Sequence, residues 1–188
     1  MKIDLSSCTL FCADNKNNIN YILNSILTNI EFNSIIIERN IKSIKEYNYF
    51  IVKKLNKLIK TDHCMIIQHD GYPLNYSAWD SRWLNLDYIG APWINYPWVR
   101  ELSVGNGGFS LRSKKLLNRI SEFNYNGEEP EDAFICRTKG PILKKEGYKF
   151  ATIEDAYNFS IENTYYKGQF GFHGKGTILM NIKAGIFR

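Results

Sequence analysis

No apolar run in the 188-residue chain reaches the roughly 20 residues that a membrane-spanning helix needs, so none is expected. The N-terminal segment lacks the basic and apolar pattern of a signal peptide. The four cysteines, Cys8, Cys12, Cys64 and Cys136, are scattered, and Cys8 and Cys12 have no second pair with which to build a zinc site. Three of them fall in apolar runs, where a free buried thiol is the ordinary expectation. Together these absences point to a reducing, cytoplasmic setting. No block of Lys and Arg stands out, although 24 basic and 19 acidic residues leave a net charge of +5. Nucleic acid is therefore not an expected partner, while the mild basicity favours acidic ligands such as phosphates. The lysines within Ile41–Lys60 read as the solvated face of a helix. The glycine cluster Gly105-Asn106-Gly107-Gly108 lacks the Gly-Lys-Ser/Thr ending of a P-loop, which excludes that NTPase class. No repeat, linker or low-complexity tract divides the chain, so one domain (1–188) is expected, long enough to bury a real core.

What is present is an alternation. Thr9–Ala13 reads as a strand ending at Asp14-Asn15. Asn18–Ile30 carries apolar residues at helical spacing (Ile19, Ile22, Leu23, Ile26, Leu27, Ile30). Ser34–Glu38, with three consecutive isoleucines, reads as a buried strand. Tyr47–Lys60 is again helical in spacing, and His63–Gln68 is an apolar strand that stops at His69-Asp70-Gly71. Strand, helix, strand, helix, strand implies an α/β fold whose mostly parallel central sheet is flanked by helices. Ligands of such sheets sit beyond the carboxyl ends of the strands, where Asp14 and Asp70 fall. The remainder is less regular. A short helix is expected over Ser77–Leu84, and short strands at Tyr88–Ile89, Phe109–Leu111 and Lys149–Thr152. Ala91–Ser103 reads as a loop. One helix is capped by Ser113 and runs to Ile120, and another covers Glu131–Arg137.

Four segments could carry chemistry. Asp70 precedes Gly71, which is equally a plain turn signal. The glycines of the 105–108 segment let backbone amides approach an oxygen-rich ligand, or simply make a bend. Glu128-Glu129-Pro130-Glu131-Asp132 crowds carboxylates at a helix start, which raises a pKa and suits a general base; a solvated acidic face is the plainer alternative. Phe170–Gly176 sets His173 and Lys175 in a glycine frame that suits a metal with a phosphate better than it suits a core. The 14% aromatic content is mostly core, though Trp79, Trp83, Trp93 and Trp98 could also stack on sugars.

Gln68-His69-Asp70-Gly71, Asp87–Trp93 (DYIGAPW), Gly105–Ser113 (GNGGFSLRS), Glu131-Asp132 and Phe170–Gly174 (FGFHG) occur in that order. The ordered set resembles a family of bacterial proteins assigned as glycosyltransferases of the GT-A superfamily and formerly left as a domain of unknown function. The likeness spans roughly Thr9 to Lys175. It implies a GT-A-like, Rossmann-like fold with a nucleotide-binding half (1–76) and an acceptor and catalytic half (77–188). It implies that Asp70 holds a divalent cation, Mn²⁺ or Mg²⁺, and the donor diphosphate, although Gln68 stands where such enzymes carry a first acid. His173 would be a second metal ligand and Lys175 a diphosphate contact. Asp14 would lie near the nucleotide base, and Gly107-Gly108 would flank donor sugar and acceptor. Glu131-Asp132 would form the catalytic pair, with Asp132 as the base of an inverting reaction. The function so implied is transfer of a sugar from a UDP-sugar to a hydroxyl on a glycan acceptor, with at most peripheral membrane contact. A sugar- or nucleotide-binding pseudoenzyme is the alternative. A glycoside hydrolase would also need paired carboxylates, but the sheet pattern speaks against it.

Overall fold

A computed structural model describes residues 2–14, 19–93 and 104–187. The fold is mixed α/β and single-domain, built on two sheets. The larger has strand order β2-β1-β3-β6-β5. Within it, β1 (Ile3–Ala13) pairs in parallel with β2 (Ile30–Glu38) and with β3 (His63–Ile67). β3 then pairs antiparallel with β6 (Ser110–Ser113), which pairs antiparallel with β5 (Tyr88–Gly90). The smaller sheet joins β4 (Gly71–Pro73) antiparallel to β8 (Gly171–His173), and β8 parallel to β7 (Ser160–Glu162). Each sheet draws strands from both halves of the chain.

β1 and β3 are central, and every residue of His63–Ile67 is buried. β2 is an edge strand. Its isoleucines split, Ile36 packing on the core while Ile35 and Ile37 stay exposed, so the expectation of a buried strand at Ser34–Glu38 fails on one face. Between β1 and β2 runs α1 (Ile19–Asn29), which buries Ile19, Ile22, Leu23 and Ile26 as the helical spacing requires. The expected start of this helix at Asn18, and Asn15 of the turn before it, lie outside the described residues, as does 94–103 of the expected loop Ala91–Ser103.

The helix expected over Tyr47–Lys60 is two pieces, α2 (Ile44–Lys53) and α3 (Leu55–Leu58), broken at Lys54. It starts earlier than its apolar spacing suggests because Ser43 caps it: Ser43 Oγ accepts from the Glu46 N–H, and the Glu46 carboxylate accepts from the Lys42 N–H. Ser113 likewise caps α4 (Lys114–Glu122), accepting from the Leu116 N–H while its own hydroxyl donates to Asp87. Two 3₁₀ turns, Tyr76–Ala78 and Ser81–Asn85, replace the helix expected over Ser77–Leu84, because Asp80 caps a new turn midway. The strand expected over Lys149–Thr152 is only a bridge between Phe150 and Tyr88. The last third holds more helix than its composition suggests. α5 (Glu131–Ala133) runs into a π-helical turn, Phe134–Thr138, and α6 (Gly140–Lys145), α7 (Ile153–Phe159) and α8 (Lys175–Lys183) follow.

Aromatic packing ties the smaller sheet to the larger. Phe109 stacks on Phe159 with centroids 4.7 Å apart, and Phe170 meets Phe109, Phe159, Trp79 and Trp83 within 5.8 Å. Trp83 and Trp93 are buried, and a side chain added at Gly105 would strike the Trp93 ring. Neither is a free sugar platform, because each is consumed by the core; Trp79 packs partly buried on Trp83 and Phe170, and Trp98 lies outside the described residues. Cys8, Cys12 and Cys64 are buried free thiols, and burial pushes those of Cys12 and Cys64 up to about 12, which removes them from chemistry near neutral pH. No described helix is long and apolar enough to cross a membrane.

Candidate functional site

A cleft of about 680 Å³ opens at the carboxyl ends of β1, β2 and β3. Ala13 ends β1 and Asp14 follows it, Glu38 ends β2, and Gln68 and His69 follow β3; all five line it. Tyr47 and Asn48 of α2 form another wall. Gly107, Gly108, Glu131, Asp132 and His173 close it from the second half of the chain.

Asp14 is buried and holds the turn after β3. Its Oδ2 accepts from the His69 backbone N–H at 2.9 Å and lies 2.7 Å from His69 Nδ1. His69 and Asp70 are the central residues of a tight turn in which Gln68 and Gly71 exchange backbone hydrogen bonds. The turn reading of Asp70-Gly71 is therefore correct, yet the turn also delivers Asp70 to the edge of the smaller sheet. Gly71 pairs with His173 in that sheet, and the Asp70 carbonyl accepts from the Gly174 N–H. His173 Nε2 consequently lies 3.9 Å from Asp70 Oδ1 and 3.3 Å from Gln68 Oε1.

His173 is not in a flexible glycine frame but at the end of β8, mostly buried. Its Nδ1 lies 3.1 Å from Glu162 Oε1, on the neighbouring strand, and 2.9 Å from the Asn106 side-chain amide. Burial on its own would lower the pKa of this imidazole. The hydrogen bond and charge of Glu162, with the charges of Asp70 and Asp132, outweigh that and raise it. Lys175 does not join the group: it is exposed in the first turn of α8 and does not line the cleft.

The glycines at 107 and 108 serve close packing. A Cβ on Gly107 would fall 1.7 Å from Glu131 Oε1, and one on Gly108 would fall 2.0 Å from His173 Nε2. Backbone thus approaches the functional side chains themselves.

Glu131 and Asp132 are adjacent but differ in surroundings. Glu131 is buried and makes a bidentate pair with the fully buried Arg112, at 2.6 and 2.8 Å. Arg112 also donates from Nε to Ser110 Oγ and from Nη2 to the Gly107 carbonyl, and its guanidinium lies 5.0 Å from the Tyr88 ring centre. Both Glu131 oxygens are thus held by Arg112. Among the described residues Asp132 has no such partner. Its Oδ2 accepts from the Gly107 N–H at 3.1 Å and its Oδ1 from the Ala133 N–H at 2.7 Å. Burial, then the Glu131 charge, push its pKa up to about 6, against the pull of these bonds and of Arg112. The π-helical turn begins two residues later, a feature often found beside functional sites.

The structure thus brings Asp14, Gly107, Gly108, Asp132 and His173 to one cleft, sets Asp70 beside His173, buries Glu131 and leaves Lys175 outside. The sequence reading missed Arg112, Tyr47, Asn106 and Glu162. Arg112 carried the one usable signal, a charge inside the apolar strand run Phe109–Leu111 and beyond, which demands a buried partner. Glu162 carried none, since β7 is three residues long.

As a cation site, the donors fit in part. Glu162 holds Nδ1 of His173, the arrangement that orients a metal-ligating histidine, and this leaves Nε2 facing Asp70 and Gln68. Among the described residues no group of three or more His, Cys, Asp or Glu could hold a metal ion.

Residues 29–173 match a family described as a protein of unknown function (DUF5672). No curated protein matches the chain. Among solved structures, the crystal structure of A197 from STIV is similar with a TM-score of 0.43 and 14% identity, over 76% of this chain and 79% of that one.

The Arg112–Glu131 pair can be tested without any ligand. Removing one partner strands the other charge, so Glu131→Gln is expected to cost about 3–5 kcal/mol in urea unfolding. The double variant Arg112→Met/Glu131→Leu should lose much less than the sum of the single changes, the coupling expected of residues in contact.

Proposed function

The chain belongs to the DUF5672 family, and from the geometry of its cleft we propose that it is a glycosyltransferase of GT-A-like build, moving a sugar from a UDP-sugar to a hydroxyl acceptor. The observation that carries this reading is Asp132: a carboxylate whose pKa is pushed up to about 6, with no ion pair to a cation among the described residues, on a cleft at the carboxyl edge of parallel strands. Such a group is matched to taking a proton near neutral pH, which attack by an acceptor hydroxyl requires. The order of the motif segments quoted above supports the same reading.

In this reading Asp14 and the β1 end flank the nucleotide, as the usual ligand position in such sheets suggests. The acceptor lies toward Asp132, which removes the hydroxyl proton as oxygen attacks the anomeric carbon. Asp70 and His173 would hold a divalent cation, which would supply positive charge for the departing diphosphate. Glu131 keeps Asp132 in place, and the exposed Lys175 is assigned no contact. A second reading, nucleotide-sugar binding without transfer, is favoured by one observation: Gln68 supplies a neutral amide where a metal-binding acid would strengthen the site.

Asp132→Asn decides between the two. The amide is nearly the same size but takes no proton, so transfer should fall ~10²–10⁴-fold with UDP affinity kept. Near-normal turnover in the folded variant would remove Asp132 from the mechanism. In the wild type, turnover should fall tenfold per pH unit below about 6 and level off above it. The stability arm has the opposite sign. The folded state holds this proton more tightly than the unfolded one, so ionisation costs stability as pH rises from 3.8 to about 6. Asparagine does not ionise, so the variant should gain on the wild type across that window in thermal melts.

Metal removal tests the other end of the cleft. UDP should raise the melting temperature more with Mn²⁺ than with EDTA, since a ligand of the native state stabilises by mass action. Equal shifts and equal turnover in EDTA would exclude the cation.

A further inference from the structure

Tyr47 lines the cleft from α2, yet its hydroxyl is buried and, although the Gln68 side chain stands beside it as a hydrogen-bonding neighbour, its proton finds no acceptor among the described residues. A buried phenol ordinarily finds one, and leaving it without costs stability. Its surroundings explain the deficit. The neighbouring Gln68 has its amide oxygen on His173, and the Glu131 carboxylate is taken by Arg112. Burial and the Glu131 charge push the phenol up, so it keeps its proton and remains a donor.

On the same cleft stands Asp132. Each of its oxygens accepts one backbone N–H and retains a further lone pair. A donor without an acceptor and an acceptor with spare capacity therefore line one cleft. An alcohol complements both at once, since its O–H donates to the carboxylate and its oxygen accepts from the phenol. A phosphate oxygen does not, because it brings no proton for Asp132 and adds negative charge beside Asp132 and Glu131.

We infer that Tyr47 Oη donates a hydrogen bond to a sugar hydroxyl whose own proton is directed at Asp132. The inference rests on the nucleotide-sugar reading of the cleft and extends it to the group that is gripped. The hydroxyl belongs either to the donor sugar or to the acceptor, and both offer the same chemistry.

Tyr47→Phe is the test, because it removes one oxygen and keeps the ring. The free variant should melt at or slightly above the wild-type temperature, since an unpartnered buried hydroxyl is lost. UDP, which carries no hexose, should bind wild type and variant equally in calorimetry. The hydroxyl-dependent step should weaken about tenfold, the worth of one such bond. A loss in affinity for UDP-hexoses such as UDP-glucose and UDP-N-acetylglucosamine assigns the hydroxyl to the donor. Unchanged UDP-hexose affinity with a raised KM for mono- and oligosaccharide acceptors assigns it to the acceptor. A melting temperature lowered by several degrees, or binding and kinetics all unchanged, overturns the inference while the reading of the cleft stands. A wild-type protein that binds neither UDP nor any UDP-hexose removes that reading, and this inference with it.

Discussion

The bidentate ion pair between Arg112 and Glu131 is the joint on which the second half of the chain turns. Arg112 stands on β6 inside the larger sheet, with no exposed surface, and its charge has to be met. Glu131 meets it from the start of α5, and in doing so pins that short helix to the sheet. The guanidinium also reaches the Gly107 carbonyl, so strand, glycine segment and acidic segment are tied at one point. A pair of this kind adds little net stability compared with apolar residues of the same volume, but either charge alone is costly. Its consequence is positional. Asp132 is carried to the cleft by its neighbour's anchor and takes the Gly107 N–H. One carboxylate is neutralised by a cation; the adjacent one is left with a raised pKa by burial and by that neighbour.

The opposite wall depends on the docking of two sheets. The turn at Asp70 ends the parallel part of the larger sheet and begins the smaller one, so the Gly71–His173 pairing brings residues about a hundred positions apart into one group. Glycine is required there because the His173 ring occupies the space that side chains at Gly71 and Gly108 would fill. Glu162, from the parallel neighbour of β8, completes the arrangement by holding Nδ1. Asn106 contributes from a left-handed backbone conformation, φ 57°, which asparagine tolerates better than most residues.

Much of the fold was legible in the first half of the sequence, where helical and strand periodicities alternate cleanly. α1 and β3 follow from apolar spacing, β3 ending one residue before the expected Gln68, whereas β1 starts at Ile3 rather than at the expected Thr9. Ser43 and Ser113 show what spacing alone misses and what caps supply: the first moved a helix start, and the second marked one where it was expected. The smaller sheet was illegible because its strands are three residues each, too short for any period, and owe their existence to partners far along the chain. The candidate site was legible by type, since carboxylates at strand ends and glycine beside histidine are local signals. Which carboxylate is free was not, because Glu131 and Asp132 are neighbours in sequence and only Arg112 tells them apart.

This frame leaves Asp132 on the cleft with its pKa pushed up to about 6, the property on which its proposed part as proton acceptor depends. A carbon-13 carboxyl NMR titration of Asp132 in the ligand-free protein, assigned with Asp132→Asn, measures that property itself. A midpoint near 6 is the result the account expects, given burial and the Glu131 charge beside it. A midpoint at or below about 4, the ordinary range of an aspartate, would contradict it.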